Sequence, residues 1–95
     1  MTEPLVRHEL RHAICLILVG EQRALKVSEI VAVLQQAGYQ LRGRPTQAVS
    51  DVLRTEVAAG RAHRIDHGVY VAGHVSPGHL RYARRCLAER RRAWR

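Results

Sequence analysis

Cysteine is scarce in this chain. Cys15 and Cys86 each sit alone within an apolar helical pattern, and no CxxC pair is present, so neither a zinc finger nor a redox motif is offered. Two reduced, mostly buried thiols in a cytoplasmic protein are the expectation. Long apolar runs are also lacking. The longest, AICLILVG, is eight residues, against the roughly 20 that a membrane-spanning helix requires. It follows mixed charge, lacks a cleavage-like sequence and continues a patterned helix, so it does not read as a signal peptide. No glycine-rich phosphate loop, paired carboxylates or nucleophile–base motif can be read, and an enzyme is not expected. There is no internal repeat and no low-complexity linker.

What the sequence has in excess is arginine. It supplies fifteen of the sixteen basic residues, against eight acidic ones, for a formal net charge of +8. Arginine's planar fork suits phosphate oxygens and guanine edges better than lysine's point charge, so a polyanion is the partner to weigh against plain solubility. At 95 residues the chain holds one domain with a modest core.

The apolar spacing predicts helix 1 over residues 5 to 19, with Val6, Leu10, Ala13, Ile14 and Ile17 on one face and Gly20 as its stop. Cys15, Leu16 and Val19 make its second half apolar all round, so something must cover that second face. A short strand is expected over Ala24 to Val27. Helix 2 follows, with Ser28 as N-cap, Glu29 in its first turn, an inner stripe of Ile30, Val33, Leu34 and Ala37, and Gly38 at C′. Tyr39 to Arg44 is a polar connection. Helix 3 opens at Pro45 and closes at Gly60, with Val49, Val52, Leu53 and Val57 inward and Gln47, Ser50, Asp51 and Arg54 outward. Glu56 falls on the apolar face; it either pairs with Arg61 or Arg64, or marks a loosening of the helix. Ala62 to Ile65 and Val69 to Ala72 form a hairpin around Asp66-His67-Gly68. Ser76-Pro77 opens helix 4, with Leu80, Ala83, Leu87 and Trp94 on one side, flanked by Cys86 and Tyr82. Arg81, Arg84, Arg85, Arg91, Arg92 and Arg95 gather on the other.

The order helix, short strand, helix, turn, helix, hairpin resembles the winged helix-turn-helix superfamily. Within it, EIVAVLQQAGYQLRGRPTQAVSDVLR followed by RIDHGVYVAG resembles the HARE-HTH group. In that group a helix ending in glycine leads into a helix opened by proline, and a wing closes on Gly-x-Tyr; here these points are Gly38, Pro45, and Gly68 with Tyr70. The match covers about half the chain. Ala62 stands where the group commonly carries a bulky aromatic. The resemblance implies a winged helix-turn-helix, mostly helical with a β-hairpin wing, over residues 1–75; the residue pattern adds a basic amphipathic helix over 76–95, packed on that domain or on a second subunit. The resemblance also implies association with double-stranded DNA or with the transcription machinery, and no enzymatic activity.

On that reading helix 3 enters a major groove. Gln47 is suited to adenine, Arg54 to guanine or phosphate and Ser50 to either, while Asp51 would accept from cytosine or position Arg54. A merely solvated polar face is the competing reading. Arg44 at the N-cap cannot accept the orphan amides, which leaves a phosphate seat flanked by Arg42 and Arg44; alternatively Thr46 caps the helix and the arginines only solvate the loop. Arg61, His63, Arg64 and His67 are placed to hold backbone or enter a minor groove from the wing.

No metal and no cofactor are expected. His63, His67 and His74 lack ligand spacing, and His8 with His12 reads as a surface pair. The surplus apolar surface of Leu16, Val19, Leu80, Ala83, Leu87 and Trp94 is expected to form a homodimer, unless helix 4 folds back along helix 1. The function expected is a DNA-binding transcriptional regulator or nucleoid-associated protein; the alternative is a winged-helix module that docks on a protein such as RNA polymerase.

Overall fold

The computed structural model describes residues 3–93, with side chains described for 3–90. Its elements are α1 (Arg7–Glu21), β1 (Leu25–Lys26), α2 (Val27–Gln36), α3 (Pro45–Ala58), β2 (Ala62–Asp66), β3 (Val69–Ala72) and α4 (Pro77–Ala93). The strands form an antiparallel sheet in the order β1-β3-β2. The mostly helical architecture with a hairpin is as expected, and β1 does join the hairpin as a third strand, pairing Leu25 with Tyr70.

Each helix supplies one stripe to a common core. Leu10, Ile14 and Leu18 come from α1, Ile30 and Leu34 from α2, and Val49, Val52 and Leu53 from α3; Leu25 and Ala62 close it from the sheet. Ala62 is fully buried, so this position remains core while carrying only a methyl group. The N-terminal arm joins the same body. Leu5 forms a parallel bridge with Leu41 and donates its N–H to the Gln40 carbonyl at 2.9 Å.

Helices α2 and α3 both end as the glycines predict. Gly38 and Gly60 take positive φ, 91° and 77°. The amides of Gly38 and Tyr39 reach the carbonyls of Gln35 and Leu34, and those of Gly60 and Arg61 reach Val57 and Glu56. These are paired Schellman bonds that satisfy orphan carbonyls. Ser76 caps α4, its Oγ accepting the His79 N–H at 3.1 Å.

Four local expectations are corrected. Helix 1 begins at Arg7 rather than residue 5, because Leu5 is held in its bridge. Gly20 does not stop it; the helix runs to Glu21 and turns at Gln22, which takes the left-handed φ of 55°. Ser28 is not the N-cap of α2, which starts at Val27 straight out of β1. Glu29 does the capping from inside the first turn, accepting the Lys26 N–H at 2.9 Å and Arg23 at 3.2 Å. That backbone hydrogen bond, then Arg23, hold its carboxyl below the usual range.

The fourth correction concerns α3. Stepping about 100° per residue from Val49, Glu56 lies about 20° from the centre of the apolar face and Val57 about 80° away. Glu56 therefore takes the core position, 1% exposed, and Val57 is left at the margin, 38% exposed. The helix does not loosen. Arg61 Nε and Nη2 donate to the two oxygens of Glu56, the latter at 3.1 Å, and Arg11 Nε lies 3.8 Å from Oε1. Arg64 takes no part. One carboxylate thus joins α3, α1 and the root of β2.

The hairpin root is closed by backbone alone. Gly73 donates to Arg61 O at 2.8 Å and His74 to Gly60 O at 2.9 Å. A Cβ on Gly73 would lie 2.3 Å from Gly60 O, so only glycine fits there.

Helix α4 folds back onto α1 within the same chain. Ala83 and Leu87, expected at a dimer interface, are buried in this contact, 0% and 8% exposed. Leu80, Leu16 and Val19 are half-buried, and Trp94 lies outside the described residues. The surplus surface that called for a second subunit is largely consumed by the chain itself. Arg90 locks the joint: its Nε lies 3.2 Å from Glu9 and its Nη2 donates to Glu3 O. Glu9 in turn caps α1 by accepting the Val6 N–H at 3.0 Å.

His12 is buried in the same joint rather than on the surface, 2% exposed. Its ring meets His79 at 5.8 Å and Tyr82 at 5.4 Å, with His8 at 6.4 Å. Burial first, then the positive fields of Arg11, His79 and His8, lower its pKa, against a weaker opposing pull from Glu56. Protonation in the folded state is disfavoured, so the unfolded chain binds that proton first. Stability is then fully present above about pH 6.5 and falls as the pH drops below it. Urea melts between pH 8 and pH 5 should show this loss, and His12→Gln should flatten it; an equal slope in both proteins contradicts the assignment. Glu56→Ala strands two arginines and should cost about 3 kcal/mol, the lower end for a broken buried pair because both arginines keep some water. Urea denaturation showing a loss below about 1 kcal/mol would contradict that role.

Candidate nucleic-acid interface

The connection from α2 to α3 alternates by burial. Tyr39 and Leu41 pack against the core, while Arg42 and Arg44 are exposed. Gly43 takes φ 63° and reverses the chain between them. Arg44 occupies the N-cap position in extended conformation, φ −84° and ψ 117°, and no side chain caps α3. Thr46 lies within the first turn of the helix, so it is not the cap. Pro45 carries no N–H, and the first amides of α3 have no side-chain cap.

Along the outer face of α3, Thr46, Gln47 and Arg54 are exposed and Ser50 is half-buried. Asp51 Oδ1 accepts from Gln47 Nε2 at 2.8 Å. It therefore positions Gln47, one turn earlier, and not Arg54. Among the described residues Arg42, Arg44 and Arg54 enter no ion pair. Sequence reasoning missed Arg7, whose Nη2 donates to Thr55 Oγ1 at 3.0 Å and extends the basic surface from α1 onto the flank of α3. Its i, i+4 spacing with Arg11 was visible, but the crossing of α1 over α3 that gives it meaning was not.

The hairpin divides the expected wing residues. Arg61, expected in the wing's contact set, is instead turned inward onto Glu56, which raises its already high pKa. His63, Arg64 and His67 are exposed. Arg64 Nη2 lies 2.9 Å from His67 Nδ1 and its Nε donates to Asp66 O at 3.3 Å. Asp66 Oδ1 accepts the His67 N–H at 2.7 Å, and Gly68 turns the tip at φ 69°. The tip is a self-bonded group of mixed sign, with Ile65 57% exposed beside it. A register shift between Arg64 and Asp66 places Ile65 outside the ladder.

A second basic face lies on α4, where Arg81, Arg84 and Arg85 are exposed. The side chains of Arg91 and Arg92, and all of Arg95, lie outside the described residues. Among the described residues no group of three His, Cys, Asp or Glu side chains is placed to hold a metal, and no helix is long and apolar enough to cross a membrane. Comparison with protein-family models, with curated proteins and with solved structures returned no match.

The arginines thus separate into structural and surface sets, and stability tests the separation. Arg61→Ala should lower the thermal midpoint, since it removes the better partner of a buried carboxylate. Arg42→Ala and Arg54→Ala should stay within about 0.5 kcal/mol of wild type. Equal losses in all three would show that the division is misdrawn.

Proposed function

We propose that this chain is a winged-helix protein that binds double-stranded DNA, acting in transcriptional regulation or DNA organisation. The observation that carries the reading is the unpaired set Arg42, Arg44 and Arg54, gathered at the opening and on the outer face of α3, while Arg11, Arg23, Arg61 and Arg90 are consumed by carboxylates. Helix α3 enters the major groove, Arg54 and the Asp51-oriented Gln47 address base edges, and Thr46 and Ser50 supply further polar contacts. Arg42, Arg44 and the uncapped helix start hold phosphate. Arg64, His63 and His67 lie against the sugar-phosphate backbone from the wing. The thiols Cys15 and Cys86, both free, fit a reducing compartment such as the cytoplasm. A dimer is not part of this proposal, because Ala83 and Leu87 are used within the chain.

With about three to five phosphates neutralised, log K against log salt should fall with a slope of roughly −2.7 to −4.5. Fluorescence anisotropy on random duplex DNA reads this directly. Arg44→Ala should weaken all sequences alike, whereas Arg54→Ala should cost about 1–3 kcal/mol on a preferred site and little elsewhere. A salt-independent affinity would instead favour docking on a protein partner.

A further inference from the structure

Helices α1, α2 and α4 enclose an open cavity of about 450 Å³ on the body of the molecule. Its walls are Leu16 and Ile17 of α1, Val33 of α2 and Leu87 of α4, with Tyr39 and Arg84 at its edge. The volume falls within the roughly 300–1,000 Å³ of small-molecule sites, which are mostly apolar with a few polar groups that fix orientation. Arg84 is the charged group in this lining, and it is exposed with no ion pair among the described residues.

We propose that this cavity binds a small molecule with an apolar body and a single anionic head, of the class of medium-chain or aryl carboxylates, its head paired with Arg84. Charge argues against a second copy as occupant. The chain carries +8 overall, and Arg81 and Arg85 flank the cavity's arginine on α4, so two copies meeting here would oppose guanidinium to guanidinium. A free anion instead neutralises charge that the fold leaves unpaired.

The site also touches the candidate interface. Leu34, Ala37 and Tyr39 line the cavity and form the turn by which the chain leaves α2 for Arg42 and Arg44. Filling the cavity fixes that turn and adds negative charge to the body, so the ligand lowers DNA affinity. This regulatory half rests on the DNA-binding reading; the site itself does not.

Decanoate is the probe, with decan-1-ol as its uncharged counterpart, both at submillimolar concentration, followed by methyl NMR on the full chain without DNA. Saturable shifts of Leu16, Ile17 and Val33 are expected, with decan-1-ol about tenfold weaker. Arg84→Ala should bring decanoate down to the alcohol's level. Ala88→Trp, which fills the cavity from α4, should abolish both while circular dichroism shows a folded protein. Ala37→Trp fills it from the opposite wall and serves if the first variant fails to fold. No saturable shift, equal binding of acid and alcohol, or undiminished binding in both filled variants overturns the site. Co-sedimentation with anionic vesicles, lost in the filled variants, in place of decanoate binding would overturn the free-ligand assignment in favour of a lipid surface. With DNA present, saturating decanoate should lower affinity about fivefold or more; an unchanged affinity overturns the regulation. A protein that binds decanoate but no DNA at any salt keeps the site and removes the DNA reading.

Discussion

The Glu56 carboxylate is the constraint on which the rest of the architecture depends. It sits at the centre of α3's inward face, 1% exposed, where an aliphatic residue would ordinarily stand. A charge there is tolerable only if paired and hydrogen-bonded. Arg61 supplies a two-pronged contact and Arg11 a longer one. Because Arg61 closes the Schellman turn of α3 with its own N–H, satisfying the carboxylate ties the end of the helix to the start of β2. Arg11 does the same for the crossing of α1. The backbone seal between Gly73 and Gly60 then sets the return strand. The passage from α3 into the hairpin is thus tied by a charge and two glycines beside the apolar core.

That accounting also decides which arginines are free. Arg11, Arg61, Arg23 and Arg90 each face a carboxylate and serve the fold. Arg7, Arg42, Arg44, Arg54 and Arg64 face none among the described residues, and neither do Arg81, Arg84 and Arg85 on α4. The excess of base over acid is therefore not spread evenly. One part of it collects around the start and outer face of α3, beside an uncapped helix end whose partial positive charge adds to it. The other lies along α4, beside the apolar cavity. The two proposals place a polyanion at the first cluster and a small amphipathic anion at the second.

Much of this was legible in the sequence, for identifiable reasons. Gly38, Pro45, Gly60 and Gly68 mark α2's end, α3's start and end, and the hairpin tip, because each position demands a backbone geometry that glycine or proline favours. Period alone placed Leu10, Ala13 and Ile14 of α1, Ile30 and Leu34 of α2, and Val49, Val52 and Leu53 of α3 in the core, but it missed Leu18 and set Ala37 and Val57, both exposed, inward. What the sequence left hidden depends on contacts between distant elements. Glu56 could be matched in sequence with Arg61 or Arg64 but not with Arg11, which lies 45 positions away on α1. Ser28 looked like a cap, but Lys26 is already held by β3, so the helix starts earlier and Glu29 caps it. Arg61 and Arg64 are alike in sequence, and only the contact of Arg61 with Glu56 shows that one is turned inward while the other stays exposed. Ala83 and Leu87 read as surplus until α4 was seen to lie on α1.

The most direct measurement is a ¹⁵N NMR map of the full chain titrated with a random-sequence DNA duplex at low salt. The account expects shifts concentrated at Arg42 to Arg54 and at His63 to His67, with the α1–α4 joint around His12 unmoved. Shifts confined to α4, or none at all at saturating DNA, would contradict it.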